Sequence, residues 1–227
     1  VLRRSHIDEM LIKFARSISN AALMLIVVIM ALGVMGVDTT SLIAVLASAG
    51  LAIGLALQDS MKNFASGVLL LTFKPFTKGD YVDAGGTEGV VQEITLFSTL
   101  LLTLDNKEVI IPNGSIWGGV ITNYTAQELR RVDMTFGIGY GDDILQARRV
   151  IDGVLAADER ILNSPEPDIL VSELADSSVN FSVRPWVKTN DYWPVYFAVV
   201  EAVKLAFDEQ GVSIPFPQMD VHMDKVA

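Results

Sequence analysis

The sequence predicts a membrane α-helical segment joined to an α+β body. Three observations carry that reading. Residues 17–37 and 39–58 form two long stretches without a single charged residue. Residues 74–125 alternate turn residues with short β-prone runs, and residues 129–210 alternate strand-like with helix-like patterns. Composition agrees: 51% of the 227 residues are hydrophobic and the mean hydropathy is +0.41, high for a wholly water-soluble chain. A chain of this length holds one large domain or two or three small ones. The segments read as 1–38, 39–73, 74–127, 128–211 and 212–227.

Residues 1–16 carry Arg3, Arg4, Lys13 and Arg16 against Asp8 and Glu9. Ile7, Met10, Leu11 and Phe14 recur at helical spacing, so this is an amphipathic lead-in. No secretory signal pattern opens the chain, and it is expected to begin partway into a longer protein. Residues 17–37 follow as a conventional span, with 21–30 the most lipid-like run. The link to the next span, 36–40, carries no Lys or Arg, whereas basic residues flank the pair: four before it, then Lys62, Lys74 and Lys78 after it. The positive-inside rule therefore puts the hairpin tip outside and the large C-terminal body in the cytoplasm. That orientation makes it a multi-pass membrane protein with both flanks of the helix pair in the cytoplasm.

The second stretch, 39–58, has the ~20 residues a span needs, but not the composition of a lone lipid-facing helix. Ala44, Ala47, Ser48, Ala49, Gly50, Ala52, Gly54 and Ala56 crowd two of its sides. Small residues one turn apart, Gly50 with Gly54 and Ala52 with Ala56, let helix backbones approach closely, which drives association in lipid. With side chains set at about 100° intervals, a narrow strip remains: Ala44, Ser48, Leu51, Leu55 and Gln58. A ring of such helices would turn Leu51 and Leu55 toward a central axis as an apolar constriction. An ordinary packed membrane helix has the same composition, so the rest of the chain must decide. Residues 59–63 are polar and 64–73 apolar again, too short to span and fitting an amphipathic interfacial extension. A kink is expected at Gln58 and Asp59, with Gly67 a second weak point.

Beyond Pro75, turns at 78–80 and 83–86 separate strands expected at 90–94, 97–104 and 108–112, followed by Asn113-Gly114. Short strands at this spacing predict a small β-barrel. In the third part strands are expected at 132–139, 169–174 and 179–187, and helices from Asp142-Asp143 to 157 and over 195–209, the latter ended by Gly211. The tail, with Pro215 and Pro217, reads as an extended strand.

Several ordered blocks resemble the small-conductance mechanosensitive channel (MscS) family. They are 52–58 (AIGLALQ), 67–70 (GVLL), 74–76 (KPF), 79–82 (GDYV), 97–99 (FST), 111–114 (IPNG) and 215–220 (PFPQMD). The resemblance spans the whole chain except the family's first membrane helix, which would precede Val1. It implies a homoheptamer around a pore, bearing a hollow cytoplasmic vestibule with an Sm-like β domain, an α/β domain and a C-terminal oligomeric β-barrel. Leu51 and Leu55 fall on the family's pore constriction; Ala44, Ala47, Ser48, Gly50, Ala52 and Gly54 fall on its helix-packing faces; Gly67 falls on a hinge glycine. Asp59 stands where the best-known members have a hinge glycine after the Gln, so a kink here needs a cause other than glycine. Such a channel opens to membrane tension and passes ions and small osmolytes.

Other functions fit poorly. The formal charge of −10 argues against a nucleic-acid surface. The chain has no cysteine, and its two histidines, His6 and His222, lack metal-ligand neighbours, so neither metal nor cofactor is expected. A transporter would place ionisable groups at midplane; neither span has any. A membrane-tethered sensory protein or enzyme finds its best case in 137–141 (GIGYG), which fits neither GxGxxG nor a P-loop and reads as a strand-to-helix turn. No nucleophile–base pairing is visible, and Trp186, Tyr192, Trp193 and Tyr196 read as core or subunit-interface aromatics.

Overall fold

The computed structural model describes residues 9–221, so the expectations for His6, His222 and the end of the tail lie outside the described residues. The first helix, α1 (Glu9–Val34), runs the described part of the lead-in, from Glu9, and the first span into one rod; residues 1–8 of the lead-in lie outside the described residues. Nothing between residues 9 and 32 breaks it, since neither Pro nor Gly occurs there. Residues 12–34 are long and apolar enough to cross a membrane. Gly36, at φ 79°, supplies the left-handed residue that ends the helix, and Val37 N–H reaches back to Leu32 O at 3.1 Å. Asp38 then accepts the Thr40 N–H at 2.9 Å and opens α2 (Thr40–Ala56). The next helix, α3 (Gln58–Phe73), follows after a single residue, Leu57.

Five strands come next: β1 (Tyr81–Ala84), β2 (Thr87–Ile94), β3 (Ser98–Leu102), β4 (Glu108–Pro112) and β5 (Ile121–Asn123). They pair antiparallel in the order β4-β3-β2-β1-β5, with a bulge in β2 between Val91 and Glu93. The small β-barrel expected here takes the form of a five-stranded sheet whose two edge strands, β4 and β5, are not paired with each other among the described residues. The chain between the two edge strands holds a short helix, α4 (Asn113–Trp117), which begins at the Asn113-Gly114 pair. Leu70 of α3, Phe76, Val82, Val91, Leu101, Ile111 and Ile116 form the core of this region.

The α/β region is built from β6 (Leu129–Arg131), β7 (Met134–Ile138), α5 (Ile144–Ala156), β8 (Asp168–Leu174), β9 (Val179–Arg184), β10 (Trp186–Lys188) and α6 (Tyr192–Gln210). The strand expected over 179–187 is split. Pro185 has no N–H to give to a ladder, so β9 ends at Arg184 between β7 and β8, and β10 crosses to pair with β6. Alternate residues of β9 are buried, and α5 and α6 lay stripes at i, i+4 spacing over that side: Ala147, Ile151 and Leu155, then Val195, Val199, Val203 and Phe207. Asp143 caps α5 through the Leu145 N–H at 2.8 Å. Asp142 does something else: it accepts the Gly139 N–H at 2.9 Å and both the N–H and the hydroxyl of Ser213, at 3.0 and 2.6 Å. That carboxylate ties the tail to the strand-to-helix turn. From Val212 to Val221 the tail makes no ladder within the chain. Tyr192 and Tyr196 pack partly against the core, while Trp193 stays exposed and stacks on Phe197.

One polar knot closes the start of the β region. Asp80 accepts from Thr77 N–H (2.7 Å), Asn123 Nδ2 (3.0 Å) and Thr125 Oγ1 (3.2 Å). Burial pushes its carboxyl up, but these donors together outweigh it and hold the carboxyl below its ordinary value of 3.8. A depressed carboxylate stabilises the fold above the unfolded value and loses that contribution as pH falls through the folded one. Thermal melts of the purified protein should therefore show an Asp80 contribution intact above about pH 5 and fading below about pH 4. Asp80→Ala should cost about 1–3 kcal/mol near neutral pH. An equal cost at pH 3 and pH 7 would contradict this role.

Candidate functional site

The site begins with what α2 lacks. Its 17 residues bury nothing inside the chain. Leu51 and Leu55 are 66% and 63% exposed. A Cβ added at Gly50 or Gly54 would meet no atom within 4 Å. Ala44, Ala47, Ala52 and Ala56 are likewise exposed. Ser48 is the polar exception, and its hydroxyl donates to Ala44 O at 2.7 Å, so the helix itself satisfies it. Every predicted packing and constriction residue thus lies on a helix whose sides are open within this chain.

The helix bends by 56° between α2 and α3. The junction is Leu57, one residue before the expected pair. Its φ of −93° and ψ of 0° lie in the bridge region between helix and strand. Its N–H still closes α2 on Ile53 O at 3.0 Å, while its carbonyl already accepts the Met61 N–H at 3.0 Å. Leu57 is therefore the last residue of one ladder and the first of the next. Gln58 begins α3, and Asp59 lies in its first turn, where a negative charge is favourable against the helix dipole. No glycine is needed for the bend.

The lower helix is anchored. Ser66, Gly67 and Leu70 are its buried face. Gly67 lies inside an unbroken helix and against backbone: an added Cβ would fall within the van der Waals shells of Leu96 O and Asn113 Nδ2. Asn113, fully buried, donates from Nδ2 to Thr95 O at 2.9 Å and accepts the Thr99 hydroxyl at 2.8 Å. Asn63 Oδ1 accepts the Gly114 N–H at 2.8 Å, and a Cβ on Gly114 would crowd that same oxygen. Phe64 meets Phe97 and Phe73 stacks on Trp117, each pair with ring centroids 5.9 Å apart. The junction partners Asn63, Thr95, Thr99, Asn113 and Gly114 were not found from the sequence. Thr99, Asn113 and Gly114 lie in the blocks 97–99 and 111–114 that carry the family resemblance, but nothing in the sequence joined them to α3.

Among the described residues no group of His, Asp and Glu could hold a metal ion. The site offers instead an apolar, two-part helix with a free upper half and a fastened lower half.

Family models match the chain in three consecutive blocks: "Mechanosensitive ion channel, transmembrane helices 2/3" over 17–58, "Mechanosensitive ion channel, beta-domain" over 59–126, and "Mechanosensitive ion channel MscS, C-terminal" over 132–214. A small-conductance mechanosensitive channel of Edwardsiella ictaluri is 47% identical over 98% of the chain and 78% of its own length. The chain belongs to the MscS family of mechanosensitive channels. An uncharacterised MscS family protein of Synechocystis is 42% identical over 98% of the chain and 75% of that protein. Among solved structures, Helicobacter pylori MscS in its closed state superposes with a TM-score of 0.90 at 33% identity, covering 98% of this chain and 88% of that one. Arabidopsis thaliana MSL1 shares the fold, with a TM-score of 0.78 at 23% identity over 92% and 78% of the two chains. The family is one of channels rather than enzymes. The first two family blocks meet between Gln58 and Asp59, next to the Leu57 bend.

The packing at Gly67 makes a prediction opposite to helix propensity. Gly→Ala in a helix interior ordinarily stabilises by about 1 kcal/mol. Gly67→Ala should instead destabilise by about 1–3 kcal/mol through overpacking against backbone. Amide exchange in α3 should also accelerate relative to the α/β core. Unchanged or slower exchange there would show that the close approach does not hold the helix.

Proposed function

We propose that the chain is one subunit of a homo-oligomeric channel, a heptamer by resemblance to the family, that opens to membrane tension. It would release ions and small osmolytes during hypo-osmotic shock. The observation that carries the reading is α2, an apolar helix with nothing buried in its own chain. Glycine in a helix interior costs about 1 kcal/mol relative to alanine, and no intrachain neighbour requires it at 50 or 54. The reason for small residues there lies in what packs from outside the chain: further copies of α2. Stacked small face to small face, with Ala44, Ala47, Ser48, Gly50, Ala52, Gly54 and Ala56 at the contacts, such helices turn Leu51 and Leu55 to the axis.

A narrow ring of leucines blocks ions without sealing the pore sterically. Water leaves an apolar neck, and an ion cannot shed its hydration shell there without compensation, so the constriction gates by dewetting. Tension favours the state of larger in-plane area. The smooth Gly/Ala faces let neighbours slide, while Gln58 and Asp59 at the bend and the Gly67 contact below it set the angle at which α2 meets the fastened α3. The likeness to a relative solved in its closed state supports reading the 56° bend as part of a non-conducting conformation. In this reading the membrane is the bacterial inner membrane, and the β and α/β regions face the cytoplasm.

The test is the tension threshold of channels reconstituted in liposomes. Leu51→Ser and Leu55→Ser should each hydrate the neck and open at clearly lower tension, whereas Gly50→Leu should impede sliding and demand more. Thresholds unchanged in both serine variants would remove these leucines from the gate. An unchanged threshold in Gly50→Leu would count against packing at that face.

A further inference from the structure

The β region and the α/β region have separate cores that share no residue. The chain joins them between β5 and β6, over residues 124–128. The two ends of that link are tied to opposite sides. Tyr124 N–H donates to Tyr81 O at 3.0 Å; the Thr125 hydroxyl donates to Asp80 at 3.2 Å and accepts the Tyr81 N–H at 3.1 Å. Both residues therefore belong to the β region. Gln127 O accepts the Thr189 hydroxyl at 2.5 Å and Glu128 O accepts the Thr189 N–H at 2.9 Å, which ties them to the α/β region. Ala126, exposed between them, joins neither set of bonds. A cavity of about 380 Å³, lined by residues 125–129 and 188–190, lies beside it and leaves the joint room to move.

Arg130 of β6 reaches across this joint. Its guanidinium carbon lies 5.2 Å from the ring centre of Tyr124, on the β side, and 3.9 Å from that of Tyr192, at the start of α6. Arg130 takes part in none of the ion pairs found among the described residues, so the two rings receive its charge. A cation over an aromatic face is attracted by the ring quadrupole, more strongly when shielded from water, and Arg130 is half-buried. Each ring is anchored in a different region. Tyr124 packs on Tyr81 with ring centroids 5.4 Å apart, and Glu88 accepts both phenolic hydroxyls, at 2.7 Å from Tyr81 and 3.3 Å from Tyr124. Tyr192 packs against the α/β core.

We propose that Arg130 is a latch across a hinge built into the chain at Ala126. Clamped between Tyr124 and Tyr192, it holds the α/β region at one angle to the β region, and its release frees the two to swing with both cores intact. The latch lies away from α2 and does not rest on the channel reading.

The test is amide exchange followed by mass spectrometry on the full-length detergent-purified protein. Arg130→Gln should speed exchange in peptides covering 124–129 and 188–192 by roughly five- to thirty-fold, the factor set by losing a half-shielded cation–π clamp. Exchange in β2, in β9 and in α6 beyond residue 195 should match the wild type. Arg130→Lys keeps the charge without the flat stacking surface and should fall between the two. Tyr192→Phe keeps the ring and should leave the joint closed, whereas Tyr192→Leu should loosen it as Arg130→Gln does. The Arg130→Gln/Tyr192→Leu double variant should be no looser than either single variant, because both remove the same contact. Unchanged exchange at the joint in Arg130→Gln would overturn the proposal. So would faster exchange throughout both cores, which would make Arg130 a support of the fold. Equal loosening by Tyr192→Phe and Tyr192→Leu would overturn it too, by assigning the contact to the hydroxyl instead of the ring.

Discussion

The close approach of α3 to the backbone at 95–97 and to α4 is the contact on which the rest of the structure depends. It needs three features at once: no side chain at Gly67, a buried Asn113 satisfied at both ends, and an Asn63 carbonyl placed on the Gly114 N–H. A buried amide left unpaired costs about 1–3 kcal/mol, so the arrangement has little room to drift. Once α3 is fixed to the β region, the direction in which the chain enters the membrane segment is fixed as well. Between them lies only the single-residue bend at Leu57.

The contrast between glycines makes the division of labour concrete. Gly67 and Gly114 are required by atoms of this chain, whereas Gly50 and Gly54 face open space. The first pair belongs to a rigid joint. In the proposed assembly the second pair would allow close backbone approach between copies and a low barrier to sliding, through the same missing side chains. A lower helix fastened to the β region and an upper one open within this chain are joined at a single residue, Leu57.

How much of this was legible in the sequence depended on the range of the interactions. The apolar helices α1 and α2, the α5 cap at Asp143, the Gly211 stop and the alternating strand β9 follow local patterns of spacing and residue type that the sequence carried. One misplacement had a local cause that the sequence carried: Pro185, with no N–H for a ladder, split the strand expected over 179–187, and its carbonyl accepts the Val132 N–H at 2.8 Å. The others had non-local causes. The short helix at 113–117, between the two edge strands of the β region, packs against α3, a contact that local pattern does not announce. The bend fell at Leu57 because a helix interruption is set by where the two ladders change partners, which no single residue type announces. Asp142 looked like a helix start and proved to be the anchor of the tail, a role visible only when Ser213 is brought back to it. The roles of Leu51 and Leu55 rest on the strip pattern and on family resemblance, since one chain contains no pore.

The most direct measurement is a patch-clamp recording of the full-length wild-type protein in liposomes, with graded suction on the pipette. The account predicts discrete unitary currents that appear with suction, vanish on release and recur at a reproducible tension. Silence up to patch rupture, with correctly assembled oligomers present in the same membranes, would contradict it.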